Sequence, residues 1–179
     1  MGSESERDRC VLLCGLMGSG KSRVGRALAS RLGWPFLDTD DRIEKAAGMK
    51  IAEIFAQQGE AAFRRLETEA LSGLPAERCV VALGGGAVVS AENRRVLHAK
   101  GRVVWLDAAP ETLAERIGDS QKRPLLAGLD RAGRVAKLTQ LRAERLAAYS
   151  DGTLRVRTDG MSVEQSAAAV HAALEETRE

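Results

Sequence analysis

Residues 15–22, Gly15-Leu16-Met17-Gly18-Ser19-Gly20-Lys21-Ser22, decide the fold. They satisfy G-x-x-x-x-G-K-[ST]. An apolar run, Val11 to Cys14, comes before them. Val24, Leu28 and Leu32 follow, four residues apart, with Gly33 as a stop. The order is strand, glycine loop, helix. The glycines let the backbone curl until its N–H groups point inward, and with the helix N-terminus these cradle phosphate oxygens. In such a loop Lys21 reaches the β- and γ-phosphates and the Ser22 hydroxyl takes Mg2+. Gly18, Ser19, Gly20, Lys21, Ser22 and Arg23 are the candidate nucleotide-binding residues. The loop holds a nucleoside triphosphate, which by itself leaves many activities open.

Outward from the loop, apolar runs alternate with helical patterns. Further strand candidates are Pro35 to Asp38, Cys79 to Leu83, Val103 to Asp107 and Leu154 to Arg157. They are short and continuous, as expected for strands covered on both faces. Ser90 with Asn93 opens a helix that ends at Gly101. Pro110 opens another through Leu113 and Ile117. Ser162 with Gln165 has capping-box spacing before a final Ala-rich helix. This alternation predicts an α/β fold with a parallel sheet and helices on both faces.

The length of 179 residues suits one domain, expected over residues 10–179 behind a flexible polar tail at 1–9. The net charge of +2 is too small to call for a nucleic-acid or membrane partner. No run approaches the ~20 apolar residues of a membrane helix. No signal peptide is visible. Glu6 stands where a myristoylation site needs Ser or Thr. Cys10, Cys14 and Cys79 lack metal spacing, and Cys10 and Cys14 flank an apolar run. Buried free thiols in a reducing cytoplasm are the expectation.

Residues 118–134 break the pattern, with three Gly, one Pro and no strong period. Arg116 to Arg145 holds eight Lys/Arg against three Asp/Glu, a local +5 in a chain of +2. A basic, glycine-punctuated insert of this length reads as a mobile lid over anions, set at about 116–134.

Asp38-Thr39-Asp40-Asp41 follows the second strand, at the carboxyl edge where ligands bind in parallel sheets. These acids suit Mg2+ or a hydroxyl proton, and one of them also caps a helix running from Arg42 to Ala47. Asp38 and Asp40, two apart on an extended strand end, could face the same side. Arg64 and Glu67 share a helix face, and alone they read as a surface ion pair. Gly84-Gly85-Gly86 follows the third strand, where a ligand could lie against bare backbone.

Taken together, these blocks resemble shikimate kinase. The similarity rests on Arg64, Glu67, Leu71, Val80-Val81-Ala82 and Gly84-Gly85-Gly86 at the family's spacing. The phosphate loop, Asp38-Thr39-Asp40 and Arg123-Pro124-Leu125-Leu126 follow the same order, from residue 11 to about 160. The resemblance implies the P-loop, nucleoside-monophosphate-kinase-like three-layer fold with five parallel strands and a lid. It implies transfer of the γ-phosphate of ATP to the 3-hydroxyl of shikimate, with Mg2+.

By position, Asp40 would bind the ring hydroxyls and accept the proton, and Asp38 would hold Mg2+ with Ser22. Arg64 and Arg145 would grip the carboxylate, and Gly84, Gly85 and Gly86 would line the ring. Arg123, on the lid, would touch phosphates and substrate, and Arg116 would lie against adenine. Lys21, Asp40 and Arg123 are the catalytic candidates. Ala147 and Val163 stand where the family often has Pro. The expected partners are ATP and shikimate, with a monomer as the working state.

Two other readings compete. A gluconate kinase would share the phosphate loop and a lid, but not the Arg64-to-Gly86 block. A GTPase-like switch would find D-x-x-G in Asp130-Arg131-Ala132-Gly133, but no strand precedes it and no Asn-Lys-x-Asp motif exists. With two Trp, one Tyr and three Phe, the chain is poor in platforms for stacking bases.

Overall fold

The computed structural model describes residues 9–118 and 124–177. Strands β1 (Cys10–Cys14), β2 (Phe36–Asp38), β3 (Val80–Ala82), β4 (Gly101–Asp107) and β5 (Leu154–Arg157) form one sheet in the order β2-β3-β1-β4-β5. Every pairing is parallel. The helices are α1 (Lys21–Leu32), α2 (Thr39–Ala47), α3 (Ile51–Ser72), α4 (Ala91–Lys100), α5 (Pro110–Ile117), α6 (Arg131–Ser150) and α7 (Val163–Glu176), with a 3-10 turn at Pro124–Leu126.

The unbroken apolar runs have a direct cause. Side chains alternate across a strand, and here both faces are covered. Val11 and Leu13 of β1 join Val80, Val104 and Val156 in a core closed by Val24 and Leu28 of α1 and Val170 and Leu174 of α7. Leu12 and Cys14 point the other way, with Val81 and Trp105, into a core closed by Leu71, Leu97 and Leu138. Each fully buried leucine contributes about 1.5–3 kcal/mol relative to leaving it in water. A third, small cluster holds Ile43 of α2 against Ile54 and Phe63 of α3. Gly59 breaks α3 into two rods (φ 82°, ψ 172°), a conformation that only glycine adopts readily.

Helix ends follow the sequence signals. Gly33 closes α1 in the left-handed region and its N–H returns to the last turn. Ser90 Oγ accepts from the Asn93 N–H, Pro110 opens α5, and Ser162 and Gln165 form a reciprocal capping box.

Three expectations are corrected. α2 starts at Thr39, not Arg42, because Asp38 itself is the cap, its Oδ1 accepting the Asp40 N–H at 3.0 Å. Asp40 therefore sits in a first helical turn, not on an extended strand end beside Asp38. Secondly, the stretch read as a lid is helical from Arg131 onward. Asp130 Oδ1 accepts the Gly133 N–H at 2.7 Å, so the D-x-x-G there is a helix cap. Arg123 lies outside the described residues, as do residues 1–8 of the expected tail.

The third correction concerns the thiols. Val11 pairs with Val80, which sets Cys10 beside Cys79 with Cα atoms 4.6 Å apart, and the two are joined as a disulfide. Only Cys14 is a free thiol, and burial pushes its pKa up to about 12, so it is inert at neutral pH. The thiols thus lend no support to a reducing compartment. Among the described residues, no helix is long and apolar enough to cross a membrane.

Candidate active site

The phosphate loop leaves the central strand β1 and enters α1. Gly15, Gly18 and Gly20 all have positive φ, which turns successive amides to one side. Gly20 caps α1 in the left-handed region, with no side chain bonded to the first-turn amides. The first-turn amides of a helix have no place in its own ladder, and such donors suit an anion. Ser19 is 1% exposed, and its Oγ has no hydrogen-bond partner. Lys21 Nζ donates to the carbonyls of Gly15 (2.9 Å) and Leu16 (3.2 Å), bracing the loop.

Ser22 Oγ donates to Asp38 Oδ2 at 2.6 Å. This pairs a hydroxyl and a carboxylate from the two elements nearest the phosphate cradle. Among the described residues, no group of three or more His, Cys, Asp or Glu could hold a metal. The Ser22 hydroxyl and the Asp38 carboxylate are hard oxygen donors, of the kind Mg2+ takes one or two of beside water and phosphate oxygens.

The glycine turn follows β3 at its carboxyl end. A Cβ on Gly84 would come within 2.8 Å of Asp40 Oδ1 and 3.1 Å of Glu67 Oε1. One on Gly86 would come within 2.7 Å of Arg64 Nη1. A side chain at Gly84 would displace the Asp40 carboxylate, and one at Gly86 would displace the Arg64 guanidinium. Glu67 is no surface residue. It is 2% exposed, Arg64 Nη1 donates to its Oε2 at 3.0 Å, and Oε1 has no hydrogen-bond partner. Burial pushes its carboxyl pKa up, against the pull of Arg64 and Arg145. Arg64 also reaches Glu60.

The turn is held at nearly every carbonyl. Gly84 O accepts from the Ala87 N–H, and Gly86 O from the Val89 N–H. Gly85 O accepts from Arg145 Nη1 (2.8 Å) and from the Tyr149 hydroxyl (2.9 Å), both on α6. Asn93 Nδ2 donates to Ala87 O, and Arg94 Nη1 to Val88 O and Val89 O. Tyr149, Asn93 and Arg94 were not among the sequence candidates. Tyr149 could have been found, since it lies one helical turn beyond Arg145.

Tyr149 is fully buried, its ring stacked on Trp105 at 5.5 Å. Burial pushes its pKa up to about 12, opposed by the Arg145 charge. A folded-state pKa raised above the unfolded ~10 means stability is fully present below pH ~10 and is lost as pH rises towards 12. The chain has one tyrosine. Ultraviolet difference titration should give one step near pH 12 in the folded protein and near 10 in urea. A step near 10 in the folded protein would contradict the burial.

The third part lies around Arg116. Arg116 Nη1 donates to Thr158 Oγ1 at 3.1 Å and Nη2 to the Thr158 carbonyl. Asp159 Oδ1 accepts from the Ala109 N–H and the Thr112 hydroxyl, tying β5 to the start of α5. Asp107, the last residue of β4, is buried and bound by Arg142 and Arg155, whose guanidinium groups lie over Trp105.

A cleft of about 1150 Å3 runs between these parts. Gly18, Ser19, Gly20, Lys21, Ser22, Arg23, Asp38, Asp40, Gly85 and Arg116 line it, together with Ser162, Val163 and Glu164. Arg64, Gly84, Gly86 and Arg145 do not line this cleft. They meet it at the glycine turn, through Asp40 and Gly85.

Residues 17–175 match the family model for shikimate kinase. The curated shikimate kinase of Symbiobacterium thermophilum is 46% identical over 173 residues, covering 94% of this chain and 98% of that one. The shikimate kinase of Geobacter metallireducens is 47% identical over 168 residues, covering 93% and 92%. A solved shikimate kinase from Acinetobacter baumannii, in complex with shikimate, superposes with a TM-score of 0.86 at 33% identity over 97% of this chain and 96% of that one. With a phosphate loop, an acidic strand end and an arginine-flanked glycine turn on one parallel sheet, and with likeness of this extent, the chain belongs to the shikimate kinase family.

Proposed function

We propose that the chain transfers the γ-phosphate of ATP to the 3-hydroxyl of shikimate. The observation that carries this reading is the convergence of Asp40, Glu67 and Arg64 on Gly84–Gly86, with Arg145 holding Gly85 from the other side. A cyclic polyol acid offers a carboxylate for planar guanidinium groups and hydroxyls for carboxylates. The unpartnered Glu67 Oε1 is an acceptor in want of such a donor.

Phosphoryl transfer is mainly positioning and charge neutralisation. Gly18 to Ser22 cradle the phosphates, and Lys21 moves from its loop carbonyls to phosphate oxygens. Arg23 and Arg116 flank the nucleotide. Ser22 and Asp38 would hold Mg2+, which when bound neutralises charge on the phosphate oxygens. Asp40 orients the acceptor hydroxyl and takes its proton. Arg64 and Arg145 fix the acceptor carboxylate, and Gly84, Gly85 and Gly86 let the ring lie against backbone. Arg123, from the basic insert, would cover the phosphates and help exclude water.

The test is a coupled assay with ATP, Mg2+ and a panel of shikimate, quinate and gluconate. Shikimate should be turned over fastest. Preferred turnover of gluconate would sink this reading and leave the nucleotide site standing.

A further inference from the structure

Thr39 lies between the two acids and has no assigned role. It is fully buried, and its Oγ1 accepts the Gly84 N–H at 2.9 Å in the interior. The reason lies in the sheet. β2 pairs with β3 in parallel, with Phe36 against Val80 and Asp38 against Ala82. The Val80 N–H donates to the Pro35 carbonyl. A parallel ladder repeats every two residues, so the same rungs fall from residue 82 to residue 37 and from residue 84 to residue 39. At residue 39, however, the chain has already turned into α2, and the Thr39 backbone has left the ladder. Its side-chain hydroxyl supplies the missing acceptor. The β2–β3 ladder thus gains one rung beyond the end of the strand, exactly one of its members being a side chain.

That rung has a consequence for the acids on either side. Asp38 is tied to α1 through Ser22 and to α2 through the Asp40 N–H. Asp40 Oδ1 stands against Gly84, too close for any Cβ there. The Thr39 bond fixes the distance between these two assemblies: the phosphate-side acid and the glycine turn that carries the acceptor. Without it, the buried Gly84 N–H would be unsatisfied and the turn could drift from Asp40.

We infer that Thr39 is a positioning residue for phosphoryl transfer, acting through Gly84 to hold the acceptor turn in register with Asp40. This rests on the assignment of Asp40 as the residue that orients and deprotonates the acceptor hydroxyl. The chemistry needs a hydroxyl acceptor on a short side chain at this position. Serine supplies it. Valine has threonine's shape without it.

Steady-state kinetics of Thr39→Val, Thr39→Ser and Asp40→Asn in the full chain test this. Thr39→Val should lower kcat by about tenfold or more, since misplacement on the order of 1 Å costs up to about a hundredfold. Its KM for ATP should stay within about twofold, and Thr39→Ser should keep kcat within about threefold of wild type. Hydrogen exchange should show the Gly84 amide protected in wild type and Thr39→Ser and released in Thr39→Val. Near-wild-type kcat in Thr39→Val overturns the inference, as does equal loss in the valine and serine variants or an ATP KM that rises as kcat falls. If Thr39→Val does not fold, Thr39→Ala makes the same comparison against Thr39→Ser. Loss in Asp40→Asn without loss in Thr39→Val rejects the role of Thr39 alone. Full activity in Asp40→Asn rejects the Asp40 assignment beneath it.

Discussion

Asp40→Asn is expected to lower shikimate phosphorylation by about 10²–10⁴-fold, the range for removing a positioned general base. ATP binding should be nearly unchanged. The asparagine keeps a hydrogen-bonding side chain of the same shape against Gly84, but loses the charge that orients and deprotonates the hydroxyl. Asp38→Asn is the contrasting variant. Its Oδ2 faces Ser22, so its replacement should weaken the apparent Mg2+ affinity, and added Mg2+ should partly restore the rate. More metal does not replace a proton acceptor, so Asp40→Asn should show no such rescue. A Mg2+ titration of both variants reads this out. Rescue of Asp40→Asn but not of Asp38→Asn would reverse the two assignments.

The other large effect is expected at the phosphate loop. Lys21→Ala should lower turnover by about 10³-fold or more, as removal of a cation that stabilises the transferring phosphoryl group does. Lys21 is partly exposed, and its ammonium donates to the loop carbonyls of Gly15 and Leu16. Neither core includes it, so circular dichroism and thermal unfolding should report a folded protein. Activity near wild type would mean that the loop is not a phosphate cradle.

The phosphate loop and the helix ends were legible because their signals are local. Eight consecutive residues state the loop. Gly33, Ser90, Pro110 and Ser162 each mark a terminus through bonds spanning a few residues. What was not legible depends on register and packing. Cys10 and Cys79 are 69 residues apart, and only the alignment of β1 with β3 brings them together. Asp38, Asp40 and Asp41 are equally good caps by type, so the start of α2 could not be chosen from the sequence. Burial of Glu67 follows from how α3 meets the glycine turn, which an i, i+3 spacing on one helix does not contain. The hold of Tyr149 on Gly85 spans 64 residues.

The stacking of Trp105 on Tyr149 makes the molecule its own fluorescent reporter. Of the two tryptophans, Trp105 is 2% exposed, and its neighbour Tyr149 ends at the Gly85 carbonyl. Arg142 and Arg155 lie beside the indole as fixed positive charges, at 5.7 and 4.9 Å from guanidinium carbon to ring centroid. Emission from an indole in such a field shifts when the charges or the stacked ring move. If the acceptor docks at the glycine turn as proposed, its binding is expected to shift this emission through the single phenol that joins Gly85 to Trp105. The other tryptophan, Trp34, lies beside Arg78 instead.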